Sequence, residues 1–326
     1  SGLPIAGDNN TLVRLHDKHI VLACEHRTLM VIDEANRFSS QGVANVALRL
    51  LQERIAGDRP LHSQTAIMLL MNEVTSDGAR ELPPAFANRS VHLPYVPDPM
   101  HFIDYMMGGK GAMPELPTEW PEVTSGDVDA AKAMVAAFLR ANPLKSYMKP
   151  KDTAMSDKPW GRDICGPWAS SRTWVNFAKV IALVGKFGDI RKPIYADIVH
   201  NIGLGTIGPV ASEFHNFLTK SDLRSGAEVL DGGTYIIPRR IDILWAEVIA
   251  AAVESRRRNT AEAWHKCAAL ITLVIKSYPE VGVIALPFAV NGEGGASAVV
   301  MANMLQYKEL REILLGAGRQ AGIYGK

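Results

Sequence analysis

Hydrophobic and polar positions follow two different rhythms along the 326 residues of this chain. Before about residue 107 the apolar positions come in short unbroken runs between turn-forming residues. After residue 127 they recur every three or four positions. The runs at residues 18–23 (Lys-His-Ile-Val-Leu-Ala) and 28–33 (Thr-Leu-Met-Val-Ile-Asp) predict two short strands, and residues 65–71 predict a third. A buried parallel strand reads as such a continuous run. Within 41–54, Val43, Val46, Ala47, Leu50 and Leu51 fall at helical spacing, with Ser39 and Ser40 available as caps. Residues 83–86 read as a helix start and 90–93 as a further strand. Alternation of this kind predicts an α/β layer.

Residues 108–126 are dense in glycine and proline and read as a linker. Beyond it the spacing predicts helices over 127–141, 172–186, 194–202, 210–218, 241–255 and 261–276. The chain thus divides into an α/β part at 1–107, a linker, and a mainly α-helical part at 127–326. Gly203-Leu204-Gly205-Thr206-Ile207-Gly208 spells G-x-G-x-x-G, yet the residues before it have helical spacing. A dinucleotide fingerprint must follow a strand, so these glycines read as a helix–turn–helix link, with Pro209 opening the next helix. The segment 292–326 carries no usable motif. Its glycine-rich start and helical remainder suggest a capping or docking element.

Composition narrows the class. Apolar residues make up 47% and charged residues 21% of the chain, which excludes a disordered polyelectrolyte. A net charge of +1 offers no electrostatic case for nucleic acid or an anionic membrane. The apolar runs are far shorter than a membrane span. Cys24, Cys165 and Cys267 are odd in number and widely spaced, which favours a reducing cytoplasm over a disulfide framework. No H-E-x-x-H, C-x-x-C or G-x-S-x-G occurs, so neither a zinc site nor a hydrolase elbow is indicated.

The candidate chemistry lies at the end of the second apolar run, where Met30-Val31-Ile32 gives way to Asp33-Glu34-Ala35-Asn36-Arg37. Open α/β sheets bind ligands at the carboxyl ends of their strands. A carboxylate there can hold a magnesium–nucleotide complex while its neighbour orients a water for attack on phosphorus. Taken alone, the pair also fits a helix N-terminus, where acids suit the dipole. Four features follow in order: Leu50-Leu51-Gln52-Glu53-Arg54 before a turn at Gly57-Asp58; Met71-Asn72-Glu73 closing a strand; Glu81 through Arg89, with Pro83-Pro84-Ala85-Phe86-Ala87-Asn88-Arg89; and Ser170-Ser171-Arg172-Thr173-Trp174 at a helix start.

This order resembles the AAA+ ATPases, and most closely the MoxR-like branch, from residue 2 to about residue 275. Gly2-Leu3-Pro4 is similar to a segment that the family carries between P-loop and Walker B. The resemblance implies a partial AAA+ core with a parallel sheet, followed by a helical lid and C-terminal region. It implies ATP and Mg²⁺ as ligands, with Asp33 in the Walker B metal role and Glu34 orienting the water. Asn72 would be sensor 1, Arg89 the arginine finger given to a neighbouring subunit, and Arg80 a second candidate for that task. Arg172 would be sensor 2. It further implies a homo-oligomeric ring that remodels a protein client, with a von Willebrand A domain protein as partner class.

The departure is as clear as the match. No G-x-x-x-x-G-K-[ST] occurs in these residues. The family's first strand, P-loop and first helix would all precede Ser1. The alternative expectation is therefore a non-catalytic scaffold that keeps the AAA+ shape.

Overall fold

The computed structural model describes residues 3–6, 12–15, 17–37, 41–72, 86, 88–95, 98–108, 121–148, 166–220, 222–292, 295–296, 298–304, 306–308, 310 and 312. The chain forms two compact units, one of residues 1–92 and 149–168, the other of 93–148 and 169–326.

In the first unit, β1 (Leu3–Ala6) and β2 (Leu12–Leu15) pair as an antiparallel hairpin. Helix α1 (Lys18–Glu25) follows, and β3 (Leu29–Ile32) leads through α2 (Gln41–Glu53) and the short strands β4 (Ile55–Ala56) and β5 (Arg59–Pro60) to β6 (Ala66–Leu69). Strands β3 and β6 are parallel, with Leu29 opposite Ala66 and Ile32 opposite Leu69. Among the described residues the parallel sheet has these two strands. The predicted strand at 18–23 is instead the body of α1. Asp17 caps it by accepting from the His19 amide, and Ile20, Ala23 and Cys24 share one face toward the small core. Four apolar residues in a row satisfy either geometry; the cap decides here. The predicted strand at 90–93 is also absent: these residues pair with none of the described strands. Residues 38–40, which hold the two serine caps, and residues 83–85 lie outside the described residues, as does most of the expected linker.

The second unit is helical. It contains α3 (Pro99–Met106), α4 (Ser125–Ala141), α5 (Ser171–Gly185), α6 (Pro193–Ile207), α7 (Val210–Lys220), α8 (Gly226–Asp231), α9 (Ile241–Arg258), α10 (Ala261–Ser277), α11 (Pro279–Val290) and α12 (Ala298–Met304). The six helices expected from spacing are all present. A capping box between Thr124 and Asp127 opens α4, and another between Ser170 and Thr173 opens α5. The core is aromatic at one end, where Phe138, Trp174, Phe177, Phe214 and Phe217 interlock with ring centroids 5.3–6.1 Å apart. Helix α9 runs through the middle, with Leu244, Val248, Ala251 and Ala252 buried.

The G-x-G-x-x-G segment is mostly helix. Helix α6 runs through Gly203 and Gly205, and the chain turns only at Gly208 (φ 69°). A Cβ at Gly203 would sit 3.0 Å from both the Phe177 ring and Ala211, so this glycine lets three helices approach closely. The expected turn therefore narrows to its last glycine.

Candidate functional site

The site is built on the carboxyl ends of β3 and β6. The ladder continues one step past Leu69, as the Leu70 amide donates to the Ile32 carbonyl at 2.9 Å. The chain after β3 then folds back on itself. The Ala35 amide donates to the Leu70 carbonyl at 2.9 Å, and the Arg37 amide to the Glu34 carbonyl at 2.9 Å. Asp33 Oδ1 accepts from the Glu34 amide at 2.8 Å. Glu34 adopts φ 50°, a left-handed conformation that few glutamates occupy. Non-glycine residues persist there where the surroundings over-determine them.

Asp33 and Glu34 are exposed, whereas Ala35 and Asn36 are buried beneath them. The Asn36 side chain crosses to the other strand, donating from Nδ2 to the Asn72 carbonyl at 2.8 Å. The Arg37 guanidinium lies 3.6 Å from the Glu34 carboxylate, both half in solvent. The sequence reading assigned no separate role to Asn36 or Arg37, although both stand in the Asp-Glu-Ala-Asn-Arg run that carries the resemblance.

Arg54 closes the same unit from below. Its backbone is left-handed (φ 56°), and its guanidinium donates to the carbonyls of His62 (3.1 Å) and Thr65. Thr65 is buried and donates to the Ala23 carbonyl at 2.9 Å. The arginine of the Leu-Gln-Glu-Arg segment thus fixes where β6 begins. Gly57 (φ 71°) makes the predicted turn between β4 and β5.

Of the expected site residues, Asp33 and Glu34 follow directly on β3, and Asn72 lies three residues past the end of its parallel neighbour β6, with its carbonyl held by Asn36. Arg89 belongs to the same unit but to a separate turn, in which its amide donates to the Phe86 carbonyl at 2.9 Å; Phe86 and Asn88 are buried and Arg89 is half-buried. Arg80 lies outside the described residues. Arg172 is on the exposed first turn of α5, in the second unit.

Among the described residues no group of three or more His, Cys, Asp or Glu side chains could hold a metal ion. A lone carboxylate such as Asp33 still fits Mg²⁺, which takes one or two protein carboxylates and completes its octahedron with phosphate and water. Among the described residues no helix is long and apolar enough to cross a membrane.

The second unit has its own titratable clusters. A cleft of about 530 Å³ is lined by Arg191, Arg224, Arg256 and Arg257 over an apolar floor. Each guanidinium is already matched to a carboxylate: Arg191 to Asp189 and Glu228, Arg224 to Glu247, Arg256 to Asp129, Arg257 to Glu254. The Arg191 hydrogen bond holds the Glu228 carboxyl at about 2, well below the ordinary glutamate range. The His200 and His215 rings lie with centroids 4.9 Å apart, tilted by 42°; burial, then the neighbouring His215, holds the His200 pKa down. Burial pushes the Cys267 thiol up to about 12, so it is inert as a nucleophile.

No protein-family model, curated protein or solved structure matches the chain.

Proposed function

We propose that this chain is a MoxR-like AAA+ ATPase, with no P-loop motif within these residues, that couples ATP hydrolysis to remodelling of a protein client. One observation carries the reading. Asp33-Glu34 leaves β3 and Leu70 to Asn72 leaves its parallel neighbour β6, and hydrogen bonds tie these two segments together beyond the ladder. A site that must hold a metal–nucleotide complex and aim a water needs a carboxylate, a second carboxylate and an amide within one small region.

In this reading Asp33 would hold Mg²⁺, which would supply charge neutralisation on the phosphates of bound ATP. Glu34 would accept a hydrogen bond from the attacking water, and its proton as the water oxygen bonds to the γ-phosphorus and the P–O bond to the departing ADP breaks. The Asn72 amide donates to the γ-phosphate or to that water. Arg89, always charged and planar, reaches the site of a neighbouring subunit in a homo-oligomeric ring, with Arg80 as a second candidate. Arg172 links nucleotide state to the helical unit. The setting is cytoplasmic and the partner class is a client protein, with a von Willebrand A domain protein as associate.

The test is ATP binding and turnover by the chain, alone and joined to a polypeptide that supplies a G-x-x-x-x-G-K-[ST] segment, with Glu34→Gln alongside. Turnover that Glu34→Gln cuts by about 10²-fold or more, with ATP binding retained, is the expected result. Turnover indifferent to Glu34→Gln sinks the assignment. One sequence observation favours a second reading, a non-catalytic AAA+-like scaffold: no P-loop motif occurs within these residues. Absence of ATP binding in both forms would select it.

A further inference from the structure

We propose that Asn36 is a positioning residue that locks the Glu34 turn onto the backbone of Asn72, so that both strand ends move as one rigid piece. What the lock serves rests on the ATPase reading; the lock itself rests on geometry alone.

The paired strands stop at Ile32 and Leu69, three residues short of Asn72. Two backbone hydrogen bonds extend the pairing as far as Leu70. Beyond that point the side chain of Asn36 takes over, donating to the Asn72 carbonyl across 36 positions of sequence. Asn36 is only 3% exposed, and its Oδ1 is buried without a hydrogen-bond partner. A buried amide with its acceptor unmet is costly. An aliphatic residue of similar size would fill the space without that cost, so packing does not account for an amide here. The bond to Asn72 does.

The same tether acts on Glu34. Its left-handed backbone is held by the bond from the Arg37 amide and by Asp33 Oδ1, both within the turn. Neither of those two bonds fixes it relative to β6. The Ala35 amide and the Asn36 side chain do so, and they flank each other in sequence. Releasing Asn36 frees the two site groups to drift independently, and small misplacements of catalytic groups cost rate more than binding.

The test uses the full chain with Asn36→Leu, which keeps the volume and removes the donor, and Asn36→Ser, which is smaller but can still donate. Amide hydrogen exchange is read at Ala35 and Leu70, whose N–H groups bond across the strand ends. Asn36→Leu should speed exchange there about tenfold, as expected for loss of one buried hydrogen bond. Protection in α10 should stay unchanged, and Asn36→Ser should fall between wild type and Asn36→Leu. Unchanged exchange in Asn36→Leu overturns the lock. If Asn36→Leu unfolds the first unit, Asn36→Ser decides alone: wild-type exchange at both amides overturns the lock, and accelerated exchange supports it.

ATP turnover, with the P-loop segment supplied, is the second readout. A positioning role lowers kcat about tenfold or more and leaves KM within about twofold. Faster exchange with an unchanged kcat overturns the positioning role. A wild-type protein that never turns over ATP sinks the ATPase reading instead, and the exchange measurement still decides the lock.

Discussion

The two units of this molecule are built to different standards. The first holds its candidate site on two four-residue strands over a core cluster of Ala23, Ala56 and Leu61, with Ile20, Cys24, Met30, Leu50 and Ile67 partly buried around it. One face of its sheet is open: Leu29 is 58% exposed, Val31 50%, Met68 47% and Leu70 44%. The second unit buries five interlocked aromatic rings and a central helix sealed along most of its length. The difference teaches where each property resides. Stability is concentrated in the helices. The candidate chemistry sits where polar tethers, rather than apolar mass, set the geometry. Such a division is expected when a site must move, since mobile elements are drawn from the less stable parts of a fold.

The largest effect should come from the aromatic core. Phe214 is buried and packs its ring against Phe138, Trp174, Phe177 and Phe217. Phe214→Ala should cost about 3–5 kcal/mol. Urea unfolding followed by the fluorescence of Trp174, Trp245 and Trp264, all buried in the same unit, measures it. A cost below about 1 kcal/mol would mean that the helical unit is as loosely packed as the first, and the comparison would break.

Next comes the buried carboxylate of Glu247. It accepts from the Arg224 amide and guanidinium and from the Tyr235 hydroxyl at 2.8–3.1 Å, and it pins the 223–237 stretch to α9. Glu247→Ala leaves Arg224 and the phenol without their acceptor. Arg224 is partly exposed and can recover water, so the expected loss is about 1–3 kcal/mol rather than the full penalty of a stranded buried charge. Glu247→Gln, which keeps an acceptor, should lose less. Equal losses for both would show that charge, not hydrogen bonding, holds the segment.

Both variants bear on how much the sequence could disclose. The helices were legible because a 3.6-residue rhythm needs only one partner face, and α4, α5, α7, α9 and α10 follow their apolar spacing closely. The strands at β3 and β6 were legible as apolar runs, and Asp33, Glu34 and Asn72 as polar residues ending them. Helix α1 was not, because six residues fit two geometries and only the Asp17 cap separates them. Asn36 and Glu247 were illegible for a shared reason. A single polar residue carries no periodic signal, and its partner is 36 positions away in one case and 23 in the other. Gly203 misplaced a turn because its role is close helix packing, which has no local signature.

Acid should separate the units as well. The Glu228 carboxyl, held at about 2 by Arg191 and by Ser225, contributes stability that is complete above the ordinary glutamate value and lost as pH falls from about 4.5 toward 2. The effect is modest because the pair is half in solvent. His200 acts at higher pH. Its pKa is held below the ordinary value by burial and by His215, so the unfolded chain takes up its proton first. Stability is therefore lost as pH drops below about 6.5 and levels off below the lowered value. Ser212 Oγ lies 3.1 Å from His200, and Asp197, the carboxylate that opposes the effect of His215 on His200, lies 3.4 Å from His215. Thermal unfolding of the helical unit between pH 7 and pH 5 measures the step, and His200→Gln should flatten it. A step that survives in His200→Gln would assign it elsewhere.

The smallest effect is the most discriminating. Val31 lies in the middle of β3 on the open face of the sheet, half exposed, with Met68 opposite. A half-exposed position away from caps, cores and ion pairs tolerates substitution within about 0.5 kcal/mol. Val31→Thr keeps the β-branched shape that a strand prefers and exchanges one methyl for a hydroxyl. The free chain should therefore unfold at nearly the same urea concentration with either residue. A loss of about 2 kcal/mol or more would mean that this face is covered in solution. The first unit would then own a second apolar layer, and its apparent thinness beside the helical unit would be a property of the isolated chain rather than of the working protein.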